Sequence, residues 1–123
     1  MTKVRGLRGA TTSDTDSRHD ILTATENLLK ELIKANDLRQ DDVAAAFFTT
    51  TPDLHAEYPA AAARLMGWTN VALMGASEID VPNAPPLCIR ILLLINTEQS
   101  AEDLKNIYQK GAANLRSRGV DSD

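Results

Sequence analysis

Leu87-Cys88-Ile89-Arg90-Ile91-Leu92-Leu93-Leu94-Ile95 is an unbroken apolar run with one arginine inside it. A stretch this rich in aliphatic and β-branched residues reads as a buried strand, extending from Leu87 to Thr97. The segment before it, Val81-Pro82-Asn83-Ala84-Pro85-Pro86, is a stiff loop, because three prolines exclude regular structure there. Residues of both parities in the run are apolar, so both faces of this central strand need cover. The chain's own helices can cover one face, and neighbouring subunits are the expected cover for the other. Arg90 is the exception to be explained. Taking a guanidinium out of water costs several kcal/mol, and arginine does not escape by losing its proton. It therefore requires a protein carboxylate, a route to solvent, or an anionic ligand.

Outward from that strand the elements alternate irregularly. Lys3 to Arg8 reads as a first strand closed by Gly9. Ser17-Arg18-His19-Asp20 resembles a capping box. After it Ile21, Leu22, Thr25, Leu28, Leu29, Leu32 and Ile33 recur at helical spacing until Asn36-Asp37. Val43 to Thr51 is a second buried strand, ended by Thr51-Pro52-Asp53. Pro59 to Met66 reads as a short alanine-rich helix, with Pro59 in its first turn and Gly67 beyond its end. Thr69 to Met74 reads as a strand. Ser100 to Asp103 is expected to cap a last helix carrying Leu104, Ile107, Tyr108 and Leu115 on one side. The resulting class is α+β, a mixed sheet of about four strands covered by two long helices. Residues 1–116 are expected to form a single domain, and the polar stretch 117–123 is expected to be a flexible tail.

The bulk properties narrow the function. A chain of 123 residues is long enough to bury roughly two-thirds of its unfolded surface. The single cysteine, Cys88, excludes an intramolecular disulfide. With only His19 and His55 beside it, a zinc cage is not expected. A formal net charge of -4 argues against nucleic acid, whose binders need a basic face. No stretch is long enough to span a membrane, and a cytoplasmic setting is the expectation.

Four segments hold residues that chemistry could use. In Arg5-Gly6-Leu7-Arg8-Gly9, the two arginines are three apart, so on a strand only one of them faces a given pocket. In Thr51 to Pro59, His55 has no nucleophile pattern around it, and Asp53 after proline suits a turn. Glu78 and Asp80 are too few for a metal site and, taken alone, read as loop charges. Tyr108 lies on an apolar stripe with a hydroxyl free to reach a ligand, with Arg116 on about the same helical face.

Arg-Gly-Leu-Arg-Gly-Ala-Thr-Thr (5–12), Thr-Pro-Asp-Leu-His-Ala-Glu-Tyr-Pro-Ala (51–60), Gly-Trp (67–68), Glu-Ile-Asp-Val (78–81), Cys-Ile-Arg (88–90), Tyr108 and Leu-Arg (115–116) stand in a distinctive order. Together they resemble the AroH-class monofunctional chorismate mutases, from residue 4 to about 116. The resemblance implies a homotrimer with a pseudo-α/β-barrel core and active sites between subunits. It implies conversion of chorismate to prephenate in phenylalanine and tyrosine biosynthesis, with no cofactor and no metal. Arg90 matches the arginine at the ether oxygen of the breaking bond, and Arg8 one that holds a carboxylate. Glu78 matches the acid facing the cationic side of the transition state, and Tyr108 a tyrosine hydrogen-bonded to substrate. Tyr58 and Ala60 match pocket-wall positions, Leu73 and Met74 fall on the wall strand, and Leu115 falls near the closing tail. Arg64 and Arg116 match basic residues at the mouth. Two positions depart from the pattern. Gly75 stands where some members carry cysteine, so only its backbone can reach the substrate. Ala61 stands where a lysine can occur, which leaves the mouth less positive.

Such a rearrangement within one molecule needs no nucleophile and no proton transfer, in keeping with the lack of a catalytic triad in the sequence. A non-catalytic trimeric anion binder and a deaminase-type enzyme on a related scaffold are the alternatives. Arg8 and Arg90 together with Glu78 and Tyr108 favour the mutase, because a plain dianion binder gains little from a carboxylate beside its ligand.

Overall fold

A computed structural model describes residues 1–114. It contains strand β1 (Lys3–Thr12), helix α1 (Arg18–Asn36), strand β2 (Val43–Thr50), helix α2 (Ala60–Leu65) and strands β3 (Ala72–Ser77), β4 (Cys88–Thr97) and β5 (Ile107–Tyr108). The strands form one mixed sheet in the order β3-β2-β4-β1-β5. The Arg90 strand is thus central, antiparallel to both β1 and β2.

Helix α1 begins where the sequence provides a cap. The Ser17 side chain accepts a hydrogen bond from the Asp20 backbone N–H at 3.1 Å, satisfying one of the donors a helix start leaves open. The helix ends as Asp37 turns left-handed at φ 50°. Its apolar stripe, Leu28, Leu29 and Leu32, packs on Leu7 of β1, Phe48 of β2 and Ile91, Leu93 and Ile95 of β4. These are the odd-numbered positions of β4. Its even positions, Leu92 and Leu94, point to the other face with Phe47 of β2 and Met74 of β3, as strand alternation requires. That face is only partly covered: Met74 is 61% exposed, Val4 60% and Leu92 37%.

The C-terminal part corrects the sequence reading. No last helix carries Tyr108. Residues Ala101–Asp103 and Lys110–Ala112 are single 3-10 turns, and between them Ile107–Tyr108 is a short strand parallel to β1. The sheet edge decides the outcome. β1 offers backbone groups that a helix would leave unpaired. The segment instead satisfies them: Asn106 Oδ1 accepts from the Arg8 N–H at 2.8 Å, and the Gln109 N–H donates to the Ala10 carbonyl at 2.9 Å. Asn36 holds the approach by accepting from the Lys105 N–H at 2.7 Å and donating to the Lys105 carbonyl at 3.0 Å. Leu104 and Ile107 still reach the core, so their apolar character was read correctly and their helical spacing was not. Among the described residues one long helix, not two, covers the sheet, and α2 is short. The sheet has five strands, β1 runs four residues further than expected, and β3 starts at Ala72 instead of Thr69.

Candidate functional site

Strand register assembles the charged centre. Thr49 of β2 and Ala10 of β1 lie directly opposite Arg90 of β4. Glu78 is the first residue after β3, and its backbone N–H donates to the Thr50 carbonyl at 2.8 Å, which fixes it beside the same strands. Arg90 then donates from Nε to Glu78 Oε2 at 2.8 Å and from Nη2 to Oε1 at 2.9 Å. This parallel, two-point geometry suits guanidinium and carboxylate. The hydroxyl of Thr49 donates to Oε2 as well. Arg90 therefore has both a carboxylate partner and access to solvent, with side chains 42% and 19% exposed for Arg90 and Glu78. Burial pushes the Glu78 carboxyl up. The hydrogen bonds from Arg90 and Thr49, with the Arg90 charge, outweigh it and hold the group below the ordinary glutamate range.

Arg8 and Tyr108 stand in the same cleft of about 350 Å³, whose walls include Phe47, Thr49, Glu78, Arg90 and Leu92. Arg5, of opposite parity on β1, does not line it. The Tyr108 hydroxyl is buried and makes no hydrogen bond among the described residues, so its donor remains open to a group entering the cleft. Gly9 lets β5 approach this closely. A Cβ there would lie 3.3 Å from the Ile107 carbonyl oxygen and 3.0 and 3.1 Å from methyl carbons of Leu32 and Leu28. The four residues singled out as the chemical centre, Arg8, Glu78, Arg90 and Tyr108, thus converge within one chain.

The remaining site positions do not join them there. Tyr58, Ala60, Arg64, Leu73, Met74 and Gly75 line a second, wider cleft of about 710 Å³. Phe47 and Thr49 of β2 line the first cleft, and Phe48 and Thr50 the second. The second cleft also takes the consecutive residues Leu73 to Ser77, of both parities, so it runs along the β3 edge of the sheet, apart from the charged centre on β4 and β1. Leu115 and Arg116 lie outside the described residues.

Other candidates have structural jobs. Asp16 accepts the backbone N–H groups of His55 and Ala56, both at 2.9 Å, and its other oxygen lies 3.2 Å from His55 Nε2. The pair pins the loop that carries Tyr58. Asp53 accepts from the Thr51 hydroxyl at 2.6 Å and from the Leu87 N–H at 2.9 Å, tying that loop to the start of β4. Asp80 does not line the charged cleft. Among the described residues no three His, Cys, Asp or Glu side chains are grouped to hold a metal ion, and no helix is long and apolar enough to cross a membrane. Burial raises the Cys88 thiol to about 11 despite the opposing Arg90 charge. Thr49 was missed in the sequence. Its only signal would have been its register opposite Arg90, which a single sequence does not specify.

Comparison with known proteins gives a consistent result. The family described as chorismate mutase type I matches residues 4–118. The chain is 36% identical to chorismate mutase AroH of Bacillus subtilis strain 168, over 92% of this chain and 90% of that one. It is 40% identical to chorismate mutase AroH of Thermus thermophilus, over 92% and 93%. Its fold superposes on a solved chorismate mutase from Clostridium thermocellum with a TM-score of 0.86 and 44% identity, covering 88% of this chain and 96% of that one.

Proposed function

Because the chain belongs to the type I chorismate mutase family and is by that membership a chorismate mutase, we propose that its chemistry takes place in the cleft of Arg8, Glu78, Arg90 and Tyr108. The reaction is the rearrangement of chorismate to prephenate, a step in phenylalanine and tyrosine biosynthesis. A carbon–oxygen bond breaks as a carbon–carbon bond forms, within one molecule. The protein's contribution is conformation and electric field.

The single observation that carries this reading is the fixed pair of opposite charges at the cleft. In the transition state the ether oxygen gains negative charge and the ring fragment becomes relatively positive. A guanidinium set at that oxygen, as we assign to Arg90, binds the transition state better than the substrate. Glu78 faces the positive side and meets the ring hydroxyl. Arg8 holds a substrate carboxylate in the compact conformation the reaction needs, and Tyr108 gives its open hydroxyl to the substrate. No step requires a cofactor or a metal.

The substrate site is completed by a second copy of the chain. The wall residues Tyr58, Ala60, Arg64, Leu73, Met74 and Gly75 lie around a different cleft from the charged centre, and the sheet face bearing Leu92 and Met74 is exposed. A trimer supports both facts at once: it covers the face and sets the second cleft of one subunit against the first cleft of the next. Arg64 draws in the dianion, and by the family resemblance Arg116 shares that task. A reducing cytoplasm suits the lone thiol, Cys88. Light scattering of the active protein tests the assembly: a trimer is expected, and a fully active monomer at the assay concentration would contradict it.

A further inference from the structure

We propose that Thr49 is a positioning residue for catalysis, holding the Glu78 carboxylate in place when Arg90 shares its charge with the substrate. The proposal rests on the roles given above to Glu78 and Arg90, and on a competition that follows from them. Glu78 takes two hydrogen bonds from Arg90, through Nε and Nη2. A guanidinium has a limited set of donors in a planar fork. Two of its five N–H donors go to Glu78; a substrate carboxylate and ether oxygen that take others compete for the same positive charge, so the two bonds to Glu78 weaken while the fork keeps its orientation.

The Thr49 hydroxyl is not subject to that competition. It bonds Oε2 of Glu78 from the other strand, β2, at the register position directly opposite Arg90. The same strand holds the Glu78 backbone through the Thr50 carbonyl. Glu78 is thus anchored to β2 at main chain and side chain, independently of β4. Without the hydroxyl, a carboxylate held less firmly by Arg90 would rotate out of line or take up a proton more readily. The ionisable and charged groups near it are Arg90 on β4, Arg8 on β1 and Tyr108 on β5, all lining the same cleft. Cys88 lies on β4 and Asp80 two residues along the chain. β2 contributes only the neutral hydroxyl.

The test compares Thr49→Val, Thr49→Ser and Glu78→Gln in the full-length protein, reading kcat, KM, the acid limb of kcat and Tm. Valine keeps the branched shape and removes the donor, so the fold should hold. A hydrogen bond to a charged group is strong enough that its loss should lower kcat roughly ten-fold or more. The acid limb should move to higher pH, while KM and Tm change little. Serine, which restores the donor, should recover kcat and the limb. If Glu78→Gln is impaired but Thr49→Val matches wild type in kcat and acid limb, the positioning role is overturned. Equal impairment in Thr49→Val and Thr49→Ser would overturn it too, pointing to packing by the methyl group. If Glu78→Gln itself turns over normally, the proposal falls with the assigned role of Glu78, a failure separate from that of Thr49.

Discussion

Arg90 and Glu78 are joined by two parallel hydrogen bonds of 2.8 and 2.9 Å, although twelve residues and a proline-rich loop separate them in the chain. Both ends are set by strand pairing, Arg90 by the central position of β4 and Glu78 by its backbone bond to β2. The guanidinium is therefore oriented before any substrate arrives, which is the condition under which a fixed charge contributes most to a transition state. Geometry as well as charge is required. Arg90→Lys keeps a point charge but loses the fork. It should recover only part of the activity lost in Arg90→Ala, as measured by kcat at saturating chorismate.

The pH dependence should reflect Glu78 and not histidine. Its folded carboxyl is held below its ordinary range by Arg90 and Thr49 against the effect of burial. A depressed carboxylate contributes stability that is present above its unfolded pKa and is lost as pH falls through the folded value. kcat should accordingly be flat across about pH 6 to 8, where unperturbed histidine titrates, and should fall only on the acid side of the ordinary carboxylate range. His55 is far exposed and Cys88 titrates only near 11. A bell centred in the histidine range would reveal a proton transfer that this mechanism lacks.

Two glycines should respond in opposite ways to alanine. At Gly9 the added methyl would sit 3.0 to 3.3 Å from Leu32, Leu28 and the Ile107 carbonyl, in the packed seam between α1, β1 and β5. Overpacking of this kind costs about 1–3 kcal/mol, so Gly9→Ala should lower Tm clearly. At Gly75 the nearest atom outside its chain neighbours would be the Phe48 carbonyl oxygen at 3.6 Å, an ordinary contact. Gly75→Ala should leave Tm unchanged or raise it slightly, since alanine narrows the unfolded ensemble.

The exposed sheet face should respond to charge. Leu92 and Met74 sit on the side opposite α1, 37% and 61% exposed, where substitution by a carboxylate leaves the chain's own core untouched. If that face is the subunit contact, Leu92→Asp or Met74→Glu should shift the protein to monomers in light scattering and lower activity together with assembly. A fully assembled Leu92→Asp protein would place the contact elsewhere.

Much of this architecture is legible in the sequence, and the exceptions share a cause. The β4 run, the α1 stripe with its Ser17 cap and the β2 run are decided by local pattern and burial, and their observed bounds lie close to those expected. β5 is decided by the free edge of β1, a distant partner, so the spacing of Leu104, Ile107 and Tyr108 misled. Arg8, Glu78, Arg90 and Tyr108 were marked by their chemistry and by resemblance, and they do meet in one cleft. Composition left the partner of Arg90 open between a carboxylate, solvent and a ligand. Register supplies Glu78 and a route to solvent, and that open side is where the proposed substrate meets Arg90. The contribution of Thr49 and the separation of Tyr58, Arg64 and Met74 into another cleft depend on strand register and strand order, which local pattern does not encode.

The most direct measurement follows the loss of chorismate ultraviolet absorbance with purified protein, wild type against Arg90→Ala. The Arg90–Glu78 pair is partly solvent-exposed, and pairs of that kind add little to stability, so the variant should remain folded and assembled. The account predicts rapid conversion to prephenate by wild type and a kcat lower by roughly 10²–10³ or more in the variant. Turnover by a folded Arg90→Ala protein close to that of wild type would contradict it.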